Sequence, residues 1–166
     1  MTEALGSLGR DGERMSARFE RRYDATPGEL WSALTEPEQL RGWFAHVERL
    51  ELSPGGAYEL RFDDGSVSGR VLALEPGRML ELSWSHAAEP HSVVRFEIVS
   101  TPTGTVLVLE HTALPAGEAA GHGAGWQSHL EALEHLLAGR DSGEARDWWE
   151  RYRELLPAYE EAAAAV

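Results

Sequence analysis

Seven histidines are the side chains best suited to acid–base chemistry in this chain. They stand at positions 46, 86, 91, 111, 122, 129 and 135. An unperturbed imidazole titrates near neutral pH, so an inward one can orient a carbonyl or act as a general base. His111 is the leading candidate. It ends the run Thr105, Leu107, Leu109, His111, which alternates as a strand does, so its ring shares the apolar face. The alternative, a core histidine bonded to a backbone carbonyl, stays open. His46 and His86 fall at strand ends and are expected in solvent. His122 and His129 share a helix face but lie two turns apart, too far for one ion, and Glu131 with His135 reads as a solvated pair. With no HExxH and no dense ligand cluster, neither a metal nor a cofactor is expected. A G-x-S-x-G elbow is absent, and the glycines at 55–56 and 121–125 lack the order and the Lys of a phosphate loop.

Those histidines must be positioned by elements whose limits are written in the sequence. Residues 16–24, 46–53, 57–62, 67–75, 79–86, 92–100 and 104–112 read as seven antiparallel strands separated by turn signals such as Pro54-Gly55-Gly56, Asp63-Asp64-Gly65-Ser66 and Pro76-Gly77. Between the first two strands, Thr26 caps a short helix with Pro27 at its first position and Glu29 near the positive end. Thr35 is expected to cap a second before Pro37. Leu30, Trp31 and Leu34, then Leu40, Trp43 and Phe44, give these helices apolar faces. From about 116 to 138 the period becomes helical, with Trp126, Leu130, Leu133 and Leu137 on one stripe. Gly121, Gly123 and Gly125 weaken the start, so regular helix is expected from about Gly125, with Gly139 as the C-terminal cap. An antiparallel sheet with one apolar face needs a cover, and this helix is long enough to supply it. The pattern predicts an α+β domain: a curved antiparallel sheet of about seven strands around a long C-terminal helix, with two short helices closing one end. Residues 1–15 read as a flexible tail, 16–139 as the domain and 140–166 as a helical extension. In that extension Ser142 is a candidate cap and Pro157 a kink or break.

Totals narrow the partners. At 166 residues the chain is long enough for one domain with a sizeable core. A net charge of −13 argues against nucleic acid and anionic membrane. Without cysteine there is no disulfide, thiolate nucleophile or Cys-ligated zinc. No leader pattern and no apolar span of membrane length occur, so a cytoplasmic location is expected. All 15 basic side chains are Arg, a bias that points to a GC-rich bacterial genome.

The stretch A-T-P-x-x-L-W-x-A-L-T-x-P-x-x-L-x-x-W-F, residues 25–44, resembles the SRPBCC (START-like) superfamily, and within it the branch named after the activator of the heat-shock-protein-90 ATPase. Pro54-Gly55-Gly56, the segment from Glu75 to Trp84, and Gly104–His111 leading to Gly125–Leu133 agree with it. The resemblance spans about Ser16 to Gly139 and implies the helix-grip fold, with a cavity between sheet and long helix. Strand parity then nominates the lining: Trp43 and Phe44 at the mouth; Tyr58, Leu60, Phe62, Leu82, Trp84, Phe96, Leu109 and His111 on strands; Trp126, His129, Leu130 and Leu133 on the helix. Such a set suits a small apolar or amphipathic ligand. Relatives imply two alternatives, a cyclase, dehydratase or hydrolase with His111 as base and Tyr58 as donor, or a regulator of a chaperone ATPase. The aromatic residues at 148–159 are expected either to form a homodimer contact or to fold back over the pocket.

Overall fold

The computed structural model describes residues 4–86, 91–139 and 147–166. One antiparallel sheet of eight strands carries the fold. Its strands are β1 (Ser7–Asp11), β2 (Arg14–Tyr23), β3 (His46–Leu50), β4 (Ala57–Phe62), β5 (Gly65–Glu75), β6 (Met79–His86), β7 (Ser92–Thr101) and β8 (Gly104–Pro115). Their spatial order is β1-β2-β8-β7-β6-β5-β4-β3, so a meander from β3 to β8 is completed by the first hairpin pairing along β8. Four α-helices lie among the described residues: α1 (Pro27–Thr35), α2 (Pro37–Trp43), α3 (Ala119–Leu137) and α4 (Trp148–Ala164). This is the predicted α+β helix-grip architecture with one more strand. None of the described helices is long and apolar enough to cross a membrane.

The extra strand lies in the segment read as a tail. Ser7–Asp11 pairs with Arg14–Arg18 through a turn at Gly12, whose φ of 62° suits glycine. Its side chains are mostly exposed, so no hydrophobic alternation advertised it. Its backbone pairing along β2 supplies the hydrogen bonds instead.

The short helices form largely as the caps dictate. Thr26 and Glu29 make a reciprocal capping box, each side chain on the other's backbone N–H at 3.1 Å. Thr35 does not cap α2; its hydroxyl donates back to the Trp31 carbonyl at 2.8 Å, and Glu36 takes the cap position without a side-chain bond. Leu30, Leu34, Leu40 and Trp43 are buried, and the Trp43 indole N–H donates to the Ala33 carbonyl at 2.9 Å, tying the two helices together. Strand parity holds throughout: Tyr58, Leu60, Leu80, Leu82, Trp84, Val94, Phe96, Ile98, Leu107, Leu109 and His111 are all buried.

Regular helix in α3 begins at Ala119, ahead of the glycines, and α4 explains why they are tolerated. A Cβ on Gly121 would stand 3.3 Å from the Tyr152 hydroxyl, one on Gly125 3.5 Å from the Trp148 ring, and one on Gly123 2.6 Å from the Tyr159 ring. Gly121 and Gly125 are four apart, as are Trp148 and Tyr152, so two matched faces close on each other. The helix-propensity cost of about 1 kcal/mol per glycine is offset by that close packing. Gly139, at φ 71°, follows the last turn in the left-handed conformation.

The helix α4 starts at Asp147, whose carboxylate accepts from the Glu150 N–H at 3.0 Å; Ser142 lies outside the described residues. Pro157 does not break it. The helix runs through, because Leu155 and Tyr159 on either side are buried and hold that turn down. The aromatic face suspected of making a homodimer is thus packed on α3 of its own chain. Gly123→Ala should therefore destabilise the protein by about 1–3 kcal/mol, the usual range for overpacking. Urea unfolding would check this, and a change within a few tenths would show that Tyr159 does not need the gap.

Candidate functional site

A cavity of about 240 Å³ lies where α3, the β4–β6 face and α4 meet. Phe44 from the end of α2, Phe62 from β4, Val67 from β5 and Trp84 from β6 form one side, and Gly121, His122, Gly125, Trp126 and His129 of α3 the other. Trp148, Trp149 and Tyr152 of α4 roof it, and Asp64 and Glu118 stand at its rim. A second cavity of about 400 Å³ adjoins it, bordered by Arg41, Trp43, His46, Arg61 and Asp63. Phe44, Phe62, Asp64, His129, Trp148 and Trp149 are shared, so this group partitions the two spaces.

Phe44 is the hub of the wall. It stacks on Trp43 at 5.0 Å and on Trp126 at 5.3 Å, and meets Phe62 edge-on at 5.1 Å. Trp84 and Trp126 lie 5.5 Å apart. In the roof, Trp148 stacks on Tyr152 at 5.1 Å and stands perpendicular to Trp149 at 4.7 Å.

Of the residues nominated from the sequence, Phe44, Phe62, Trp84, Trp126 and His129 line the main cavity. Trp43 faces the adjoining one. Tyr58, Leu60, Leu82, Phe96, Leu109, His111, Leu130 and Leu133 are buried in the core behind these walls and do not line either cavity. Parity correctly turned them inward, but the face of a sheet is wider than the opening in it. The roof corresponds to one of the two alternatives for the 148–159 aromatics, folding back over the pocket, whereas the rim acids Asp64 and Glu118 were not nominated. The matched four-residue spacing of Gly121/Gly125 and Trp148/Tyr152 is a further sequence signal for the roof.

His111 sits in a closed chain of hydrogen bonds. The Trp126 indole N–H donates to Nδ1 at 2.9 Å, which fixes the proton on Nε2. Nε2 then donates to the Ser92 hydroxyl at 2.7 Å, and Ser92 donates to the Trp84 carbonyl at 3.2 Å. Burial, and next the neighbouring His122 ring at 4.7 Å, push the His111 pKa well below its ordinary value. With both nitrogens engaged and no exposure, the ring orients Trp126 and Trp84 and offers no free lone pair. Tyr58 is spent likewise: its hydroxyl donates to the Ser83 carbonyl at 2.6 Å, and burial pushes its pKa up.

His129 differs. Nδ1 donates to the Trp43 carbonyl at 3.3 Å, leaving Nε2 as the lone-pair nitrogen of a ring on the cavity wall. Burial pulls its pKa down to about 4, against a smaller opposing contribution from that carbonyl. The imidazole is neutral at pH 7 and acts as a hydrogen-bond acceptor. Among the described residues, no three His, Asp or Glu side chains converge as metal ligands would.

The family model for activator of Hsp90 ATPase homolog 1-like protein matches residues 24–138. The chain belongs to this family. Members of the fold have been solved. CalU16 from Micromonospora echinospora is 28% identical, with 98% of this chain and 99% of that one covered and a TM-score of 0.79. Protein MLL2253 from Mesorhizobium loti is 30% identical over 76% of this chain and 98% of its own, at a TM-score of 0.70. DynU16, described as a protein of the dynemicin biosynthetic locus, is 26% identical over 76% of this chain and 49% of its own, also at 0.70. Among curated proteins none matches the sequence. The full-length similarity to CalU16 shows that this family member and CalU16 share the α4 region as well as the sheet and α3.

Proposed function

We propose that this family member binds a small apolar or amphipathic molecule in the cavity between sheet, α3 and α4, without catalysing a reaction on it. The observation that carries the reading is the space itself: a 240 Å³ cavity walled by aromatic rings, beside a second space of about 400 Å³. Natural interiors close-pack, and a retained apolar cavity with few polar points is the usual form of a ligand site. The engaged nitrogens of His111 and the engaged hydroxyl of Tyr58 favour binding over the acid–base alternative. The occurrence of the relative DynU16 in a biosynthetic locus fits a small metabolite as ligand.

The test is a titration with N-phenyl-1-naphthylamine, an uncharged probe that brightens in apolar surroundings. Saturable binding to the wild-type protein is expected. It should be lost in Gly125→Leu, which puts a side chain into the cavity from a helix position where a Cβ keeps ordinary clearance from Trp148. Leucine favours helix over glycine, and a urea midpoint set beside that of the wild type checks that α3 and α4 stay packed in the variant. Equal binding by both proteins would place the probe elsewhere and remove the proposal.

A further inference from the structure

Resting on that binding site, we propose that its ligand is an amphipathic cation, with a flat apolar body among the indoles and an ammonium group at the Asp64–Glu118 rim. The charges of the wall are one-sided. Among the described residues, Asp64 and Glu118 are its carboxylates and no Arg lines it; Arg41 and Arg61 border the adjoining cavity, which shares Asp64 with this one. Neither rim carboxylate has an ion-pair partner among the described residues, although Arg18, Arg49, Arg61, Arg78, Arg95 and Arg151 are each paired with a glutamate. The neutral His129 presents a lone pair rather than a proton to the same wall. Every one of these groups accepts hydrogen bonds, so an ammonium group is complemented and a carboxylate is opposed.

The roof adds a second attraction. Trp148 and Tyr152 are stacked, with Trp149 edge-on to both, and the faces of such rings attract a cation held within about 6 Å. Tyr152 registers the field there directly. Burial first, and then the charges of Glu118, Glu160 and Asp64, raise the pKa of its hydroxyl, so three carboxylates bear on one point of the rim. The two rim acids are not equivalent. Glu118 precedes the first turn of α3 and faces its positive end, whereas Asp64 sits in the β4–β5 turn and also borders the adjoining cavity with Arg41 and Arg61.

A matched series on one naphthalene body tests this: the 1-aminomethyl compound (an ammonium at pH 7), the 1-hydroxymethyl compound and 1-naphthoate. The amine is expected to bind about tenfold tighter than the alcohol, and the naphthoate weakest. Asp64→Asn and Glu118→Gln should each shrink the ratio of amine to alcohol affinity. Added salt should weaken the amine selectively. An alcohol or naphthoate that binds as tightly as the amine would overturn the cation assignment while leaving the site intact, as N-phenyl-1-naphthylamine binding would confirm independently. Failure of all four compounds would overturn both.

Discussion

Acidification from about pH 7.5 to about pH 5 is expected to cost on the order of 2 kcal/mol of stability through His129 alone. The sign follows from the direction of the shift. Folding lowers the His129 pKa from 6.5 to about 4, so the unfolded chain takes up the proton first. The stabilisation is complete above pH 6.5, falls as pH drops towards 4 and changes no further below that. The figure is an upper one, because the ring keeps some contact with water. His111 acts in the same sense: it too is held neutral, by burial and by His122, and a proton on Nδ1 would face the Trp126 N–H. Two such groups bring the slope towards about 2.7 kcal/mol per pH unit, a steep loss for a domain of ordinary stability. Urea midpoints across this range would show it, and His129→Phe should remove about half the slope. A flat profile between pH 7 and pH 5 would mean that neither ring is neutral for the reason given.

Tyr159→Ala is expected to destabilise the protein by about 3–5 kcal/mol, the cost of deleting a large buried ring. Tyr159 is fully buried, lies over Gly123 and approaches Phe19 to 6.4 Å between ring centroids. Its hydroxyl donates to the Gln127 side chain at 2.5 Å and accepts the Gly6 N–H at 2.7 Å. Gln127 donates on to Glu131 at 3.2 Å, and Arg151 holds Glu131 with two further bonds at 2.8 and 2.9 Å. One side chain thus joins the segment before β1, α3 and α4. Tyr159→Phe separates the contributions. It keeps the ring and strands two partners, so about 1–3 kcal/mol should be lost. Chemical denaturation of the three proteins decides the matter. If Tyr159→Ala costs less than about 1 kcal/mol, α4 is not anchored by this ring.

Much of this fold can be seen in the residue pattern because its determinants are local. Thr26, Pro27 and Glu29 carry a complete helix start within four positions, and the alternation from Thr105 to His111 shows which side of β8 turns inward. The β1 strand escaped notice because Ser7–Asp11 buries little, and its evidence is the hydrogen bonding of β2. The glycines at 121, 123 and 125 register locally only as a weakness in α3. Their purpose depends on rings 23 to 36 residues further on, which no window on the helix contains. His111 shows the same limit. Parity put it inside, but its partners Ser92 and Trp126 come from another strand and a helix, and only their meeting turns a candidate base into a fixed hydrogen-bonding link.

The two close indole pairs have an optical consequence. Transition dipoles on rings 5.5 Å apart and tilted by 50°, as in Trp84 and Trp126, or 4.7 Å apart and nearly perpendicular, as in Trp148 and Trp149, couple and split their shared absorption band. Each pair then contributes a signed couplet to the circular dichroism spectrum beside the peptide bands. The first pair belongs to the sheet and α3, the second to α4. Replacing one member of a pair by Phe removes its couplet alone, so the protein carries two intrinsic, label-free reporters, one for the cavity wall and one for its roof.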